Sequence, residues 1–229
     1  MPRESEFYVG YLPVPGGIRK YIRRVVVALG AVAVTTAAIL IAGQHPFAPS
    51  TFEFQQYRDF SGTLLAGPYP ALAIPGQGLP WLLVGPGKHG AGDLSQLDGH
   101  AVRLKGERIF RGEDHMIELL PGTLADGGPG DSIAGPVALG EVQLTGEVVD
   151  SKCYFGVMNP GNGKVHRDCA VRCISGGIPP AFLVRDASGR TETLLLANWK
   201  PEFLNHIAEP VAIRGRLTRS SGRLTLYAE

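Results

Sequence analysis

Three cysteines and a histidine crowd one stretch of the chain, residues 153–173, which reads CYFGVMNPGNGKVHRDCAVRC. The protein has no other cysteine. The spacing is Cys-x12-His-x2-Cys-x3-Cys. Thiolate and imidazole are the usual ligands of zinc, so Cys153, His166, Cys169 and Cys173 could close a tetrahedral Cys3His site. Zinc is the first expectation, with copper or iron as alternatives. His166, Cys169 and Cys173 fall at i, i+3 and i+7, one face of a helix. Cys153 would arrive from the end of the preceding strand. The intervening MNPGNG is a turn-rich loop that lets the chain double back.

The same residues admit a plainer reading. In an oxidising compartment two of Cys153, Cys169 and Cys173 could form a disulfide, worth about 3 kcal/mol for a loop of this size. Cys153 with Cys169 or Cys173 is the better pair. Residues four apart on a helix keep their Cβ atoms roughly 5–6 Å apart, beyond the ~3.5–4.5 Å a disulfide prefers. The third cysteine would then be a small buried hydrophobe. Lys152, Lys164, Arg167, Arg172 and Arg185 flank the thiols, and cations favour thiolates; for Arg167 and Arg172 a solvated helix face is the simpler account. Met158 could ligate a soft metal and His206 could be a remote ligand, although packing roles are commoner for both.

The whole chain must position this stretch. At 229 residues there is room for one or two domains. Gly 31 and Pro 18 favour many short strands joined by turns over a helical bundle. The net charge of +1, without a basic stripe of interleaved aromatics, excludes an obvious nucleic-acid surface. Residues 1–24 form a polar, turn-rich arm ending in Arg19, Lys20, Arg23 and Arg24. An uncharged apolar run follows at 25–43. Nineteen helical residues span ~28 Å, close to a hydrocarbon core. Basic residues just before the run, and none after it until Arg58, place the N-terminus in the cytoplasm and the rest outside. A cleaved signal peptide is the competing reading, but the run is longer than a signal core and lacks a clean cleavage site. Phe47, Phe52, Phe54 and Tyr57 lie in a linker, 44–60, that leaves the membrane.

From Ser61 onward the chain shows a faint internal repeat. Gly62 opens one copy and Gly146 the other; AVRLKG corresponds in character to VAIRGR, with Gly106 opposite Gly215. Val102, Leu104 and Val211, Ile213 alternate as half-buried strands do. Each copy supplies about five strands and ends in a hairpin, and NWKPEFLNHI (198–207) reads as a short helix capped by Asn198 before the second hairpin. The expected fold is mainly β: two tandem small OB-like β-barrels, 61–121 and 140–229, after a single transmembrane helix. A Gly/Pro-rich linker, 122–139, separates them. The Cys/His stretch is an insertion, 153–180, grafted onto a loop of the second barrel, where function tends to sit.

The catalytic signatures C-x-x-C-H, P-loop and G-x-S-x-G do not occur. The C-x-x-x-C spacing is similar to the copper-binding pair of the cytochrome oxidase copper subunit and of Sco-type copper chaperones. It departs from them after Cys173, where Ser175-Gly176-Gly177 stands in place of a histidine. DSKCYFGVMNPGNGKVHRDCAVRCISGGIPP as a whole resembles an uncharacterised group of bacterial exported, membrane-anchored proteins, which implies export and no particular activity.

The expectation for function is a non-enzymatic accessory subunit of a membrane redox or electron-transfer complex. It would be anchored once in the cytoplasmic membrane with its barrels in the periplasm. Its partners would be other membrane or periplasmic subunits of that complex, with Phe7, Tyr8, Tyr11 and Leu12 of the arm as docking residues. A periplasmic thiol or metal-delivery chaperone is the alternative, and it predicts exposed thiols where the subunit predicts buried ones. An OB-like ligand-binding module comes third.

Overall fold

A computed structural model describes residues 10, 13–44 and 49–229. The arm residues Phe7, Tyr8, Tyr11 and Leu12, and Phe47 of the linker, lie outside the described residues. The chain divides into two compact units, residues 1–46 and 47–229.

Among the described residues the first unit holds one helix, α1 (Gly16–Ala42), of 27 residues. Its most apolar window has a mean hydropathy of 2.6, and none of that window is buried. A helix apolar on all sides and exposed has length and composition enough to cross a membrane, features that a signal sequence shares. It starts at Gly16 rather than Val25. Ile18, Arg19, Lys20, Tyr21 and Arg23 have no helix-breaking side chain, and Pro15 suits the preceding position.

The second unit is built of strands. In chain order they are β1 (Thr51–Phe52), β2 (Arg58–Leu65), β3 (Ala71–Ala73), β4 (Trp81–Val84), β5 (His100–Arg111), β6 (Asp114–Leu119) and β7 (Ala125–Pro129). These seven form one sheet. Then come β8 (Val137–Asp150), α2 (Arg167–Ser175), β9 (Pro180–Arg185), β10 (Thr191–Ala197), β11 (Pro210–Ser220) and β12 (Arg223–Ala228). The five later strands close a barrel in the order β10-β12-β11-β8-β9.

Every pairing of that barrel has a counterpart in the first sheet. β8 pairs antiparallel with β9 and β11, as β2 does with β3 and β5. β10 runs parallel to β12, as β4 does to β6. Two glycines mark the matching register. A Cβ on Gly62 would strike the carbonyl oxygen of Ala73, and one on Gly146 that of Leu183. Only glycine lets the neighbouring strand approach so closely.

Three sequence boundaries move. β1 and the start of β2 fall inside the expected linker 44–60, because Phe52 packs on the core beside the insertion. β7 and the first residues of β8 fall inside the linker 122–139; glycine-rich as it is, β7 pairs with β5. Residues 201–206 form a 3₁₀ helix, and Asn198 takes a positive φ of 54° instead of capping it. Pro201 supplies the helix start.

The two β assemblies share a core. Ala71, Leu82, Val84, Ile109 and Met116 of the first pack in one cluster with Val149, Phe155, Ile178, Ala181 and Leu183 of the second. Arg223 adds a link at 2.6 Å to Asp114 and donates to the Pro80 carbonyl. Gly146→Val should therefore force β8 from β9 and cost about 1–3 kcal/mol, as overpacking does. The check is the thermal midpoint of the purified chain by circular dichroism; an unchanged midpoint would contradict the close approach.

Candidate metal centre

The insertion leaves the barrel where β8 ends at Asp150 and re-enters at Pro180. Ser151 closes its base, donating through N and Oγ to the Pro179 carbonyl at 3.2 and 2.7 Å. A π-helical turn, Cys153–Val157, buries Cys153, Tyr154 and Phe155. A 3₁₀ turn, Lys164–His166, then leads into α2. Arg111 clamps the outer loop: it donates to the carbonyls of Tyr154 and Pro160 and lies over the Tyr154 ring at 4.4 Å. The Gly163 N–H donates to Glu147 at 2.6 Å.

At the centre lies Asp150, 0% exposed. One carboxylate oxygen accepts the Cys153 N–H at 2.8 Å, and the other is 2.8 Å from His166 Nε2. A carboxylate only accepts, so Nε2 carries a hydrogen, and in the neutral ring Nδ1 is the nitrogen with a lone pair to offer. Around this pair stand the thiols. The ligand atoms of Cys153, His166 and Cys169 lie within 4.8 Å of one another, and so do those of Asp150, Cys153 and Cys173. A tetrahedral ion with bonds near 2.3 Å holds its sulfurs about 3.8 Å apart. A contraction of about 1 Å at most would close either set around such an ion.

The three cysteines are free thiols, with no sulfur pair at bonding distance. They differ in exposure. Cys153 is 4% and Cys173 2% exposed, whereas Cys169 is half-buried. The hydrogen bond from Cys153 holds the Cys173 thiol down to about 7; the reciprocal bond, with burial behind it, pushes Cys153 far up. A thiol lowered in this way gives up its proton more readily, as metal binding requires.

The cation facing these sulfurs comes from the first sheet. Lys88 Nζ lies 2.8 Å from Cys169 Sγ and 3.7 Å from Cys173 Sγ. Its bond to Cys169 raises the lysine above its usual value. Lys88 sits in the loop after β4, and that loop is pinned on both sides. Buried Lys152 pairs with Glu118 at 2.5 Å and donates to the carbonyls of Gly85 and Gly87 at 3.0 and 2.6 Å. The Gly90 N–H donates to the Gly176 carbonyl at 3.0 Å, just past the end of α2.

The sequence-based candidates fare unequally. His166 precedes α2 and Cys169 and Cys173 lie on it, while Cys153 comes from the π-helical turn rather than directly from the strand. Among the described residues the four do not form one set of mutually close ligand atoms; Cys153 belongs to both clusters and joins them. Lys152 points away from the thiols, to Glu118. Arg167 is engaged with Asn205 and Glu209. Met158 is exposed, and His206 lies on the 3₁₀ helix outside both clusters. Asp150 and Lys88 were not anticipated. Asp150 had a signal, since Asp-x-x-Cys is the spacing of a helix cap whose carboxylate accepts the N–H three residues on. Lys88 had none.

The chain matches no protein-family model, no curated protein and no solved structure. The geometry is therefore the evidence for function. If Asp150 orients His166 for a metal, Asp150→Asn should weaken zinc binding about 10–100-fold. Competition against a chromogenic chelator measures this, and an unchanged affinity would remove Asp150 from the site.

Proposed function

We propose that this chain is a membrane-anchored, extracytoplasmic accessory subunit of a membrane redox or electron-transfer complex. It is built on two OB-like barrels and holds one retained metal ion, zinc before copper or iron. The burial of Cys153 and Cys173 carries this reading. Thiols that hand a metal on need to be reachable, whereas thiols sealed between two β assemblies keep it. The matching pairings, including the parallel β4–β6 and β10–β12 pairs, support an OB-like topology for both assemblies. The apolar helix α1 supports a single span, and the basic residues that lead into it favour a cytoplasmic N-terminus with the barrels on the other side. Cys153, His166, Cys169 and Cys173 are the proposed ligands, with Asp150 behind the histidine.

One observation favours the alternative, a periplasmic thiol or metal-delivery chaperone: Cys169 is partly exposed beside Lys88. A ligand-binding module has less support. The groove of about 570 Å³ along Gly62, Arg103, Asp126 and Asp131 has no aromatic side chain to stack a base or sugar.

Purification from native membranes in mild detergent tests the proposal. The chain should carry about one metal per protomer and bring cytochrome or other redox subunits with it. Cys173→Ser should lose most of the metal. A lone chain with no stable partner would refute the subunit reading, and metal passed rapidly to a competing protein would favour delivery.

A further inference from the structure

We propose that Lys88 and Cys169 form an oxygen-bridged covalent cross-link, Nζ–O–Sγ, when the metal-free site meets dioxygen. The inference rests on the ligand reading above, because the bridge would remove Cys169 from the metal site and act as its oxidative lock. Three observations support it.

First, the two atoms are 2.8 Å apart. That is short for an amine hydrogen bonded to a large sulfur atom, and it suits two atoms with a single light atom between them. Second, the lysine is presented by a fixed loop. Lys152 holds the carbonyls of Gly85 and Gly87, and Gly90 is bonded to Gly176. The amine thus stays at the sulfur without ordering a long flexible side chain from solvent. Third, Cys169 is the accessible thiol of the three. An oxidant reaches it first, since the other two thiols are buried. Its helical neighbour Cys173 is poorly placed to trap the oxidised sulfur, because Cβ atoms four residues apart stand roughly 5–6 Å from each other. Lys88 is nearer to Cys169 than to Cys173, at 2.8 against 3.7 Å.

The chemistry balances with one dioxygen per bridge. The S–H bond and one N–H bond break, and N–O and O–S bonds form. One oxygen atom enters the bridge; the other leaves as water with the two hydrogens released. The ammonium gives its extra proton to solvent. Sulfur and nitrogen give up two electrons each, and these four reduce dioxygen. A dithiol opens the lock: two electrons reduce the O–S bond, which frees the Cys169 thiol and leaves the oxygen on Lys88 as a hydroxylamine, while the dithiol becomes a disulfide.

The sequence makes the test clean. Trypsin cuts after Lys152, Lys164, Arg167 and Arg172, so Cys153, Cys169 and Cys173 fall on three different peptides. The full-length chain in detergent is stripped with a chelator, exposed to air, digested and mapped by mass spectrometry, with and without dithiothreitol. The expected product joins the peptide of Lys88 to that of Cys169. It is heavier than the two linear peptides by one oxygen and lighter by two hydrogens, and cleavage after Lys88 is lost. Lys88→Arg and Cys169→Ser each abolish it. Normal cleavage after Lys88, with Cys169 found as a disulfide to Cys153 or as a sulfinic acid, overturns the proposal. Zinc uptake measured on the same samples separates the two readings. A reduced chain that binds zinc but never cross-links defeats the lock alone; a chain that cross-links but never binds zinc defeats the metal site alone.

Discussion

A carboxylate with no access to water is the constraint on which the centre depends. Burying Asp150 is costly unless its oxygens find donors. It finds them in the Cys153 N–H and His166 Nε2, both 2.8 Å away. The first bond turns the chain from β8 into the π-helical turn. The second draws the start of α2 back over the barrel. These two bonds bring segments from either side of a loop to one point, and the thiols follow. Local geometry and ligand placement are thus one event: the side chain that caps the turn also orients the imidazole.

The second constraint is the shared core. Phe155, fully buried, packs in one cluster with Ile109 and Met116 from the first sheet and with Ile178 and Leu183 from the barrel side. The insertion is therefore an internal layer between two β assemblies rather than a free loop. This explains why a lysine from the first sheet can serve a site whose cysteines all belong to the second half. Lys152, adjacent to Cys153, enforces the arrangement by reaching across to Glu118 and the loop carbonyls. A buried lysine with one carboxylate and two carbonyls is satisfied, and removing any partner would leave a costly charge.

Much of this was legible in the sequence, and what was not has physical reasons. The apolar run announced α1 because nineteen uncharged residues leave few alternatives. The glycine pairs Gly62 with Gly146 and Gly106 with Gly215 were visible as a repeat, because strands that nearly touch tolerate nothing larger. The convergence of Cys153 with His166 followed from a turn-rich loop between a strand and a helical spacing. Lys88 stayed hidden, since it lies 81 residues from Cys169 and meets it only through tertiary packing. The bounds of short β3 were not legible because three residues make no periodicity, and glycine-rich β7 was hidden because its composition reads as a linker. Lys152 was misassigned for the same reason that Lys88 was missed: nearness in sequence does not say which way a side chain crosses an interface.

Convergence of sulfur and one histidine on a single ion is open to direct measurement. X-ray absorption at the edge of the metal bound to the purified chain reads this directly. A four-coordinate shell dominated by sulfur near 2.3 Å with one nitrogen near 2.0 Å is the expected result. A shell of oxygen and nitrogen alone would place the metal elsewhere and contradict it.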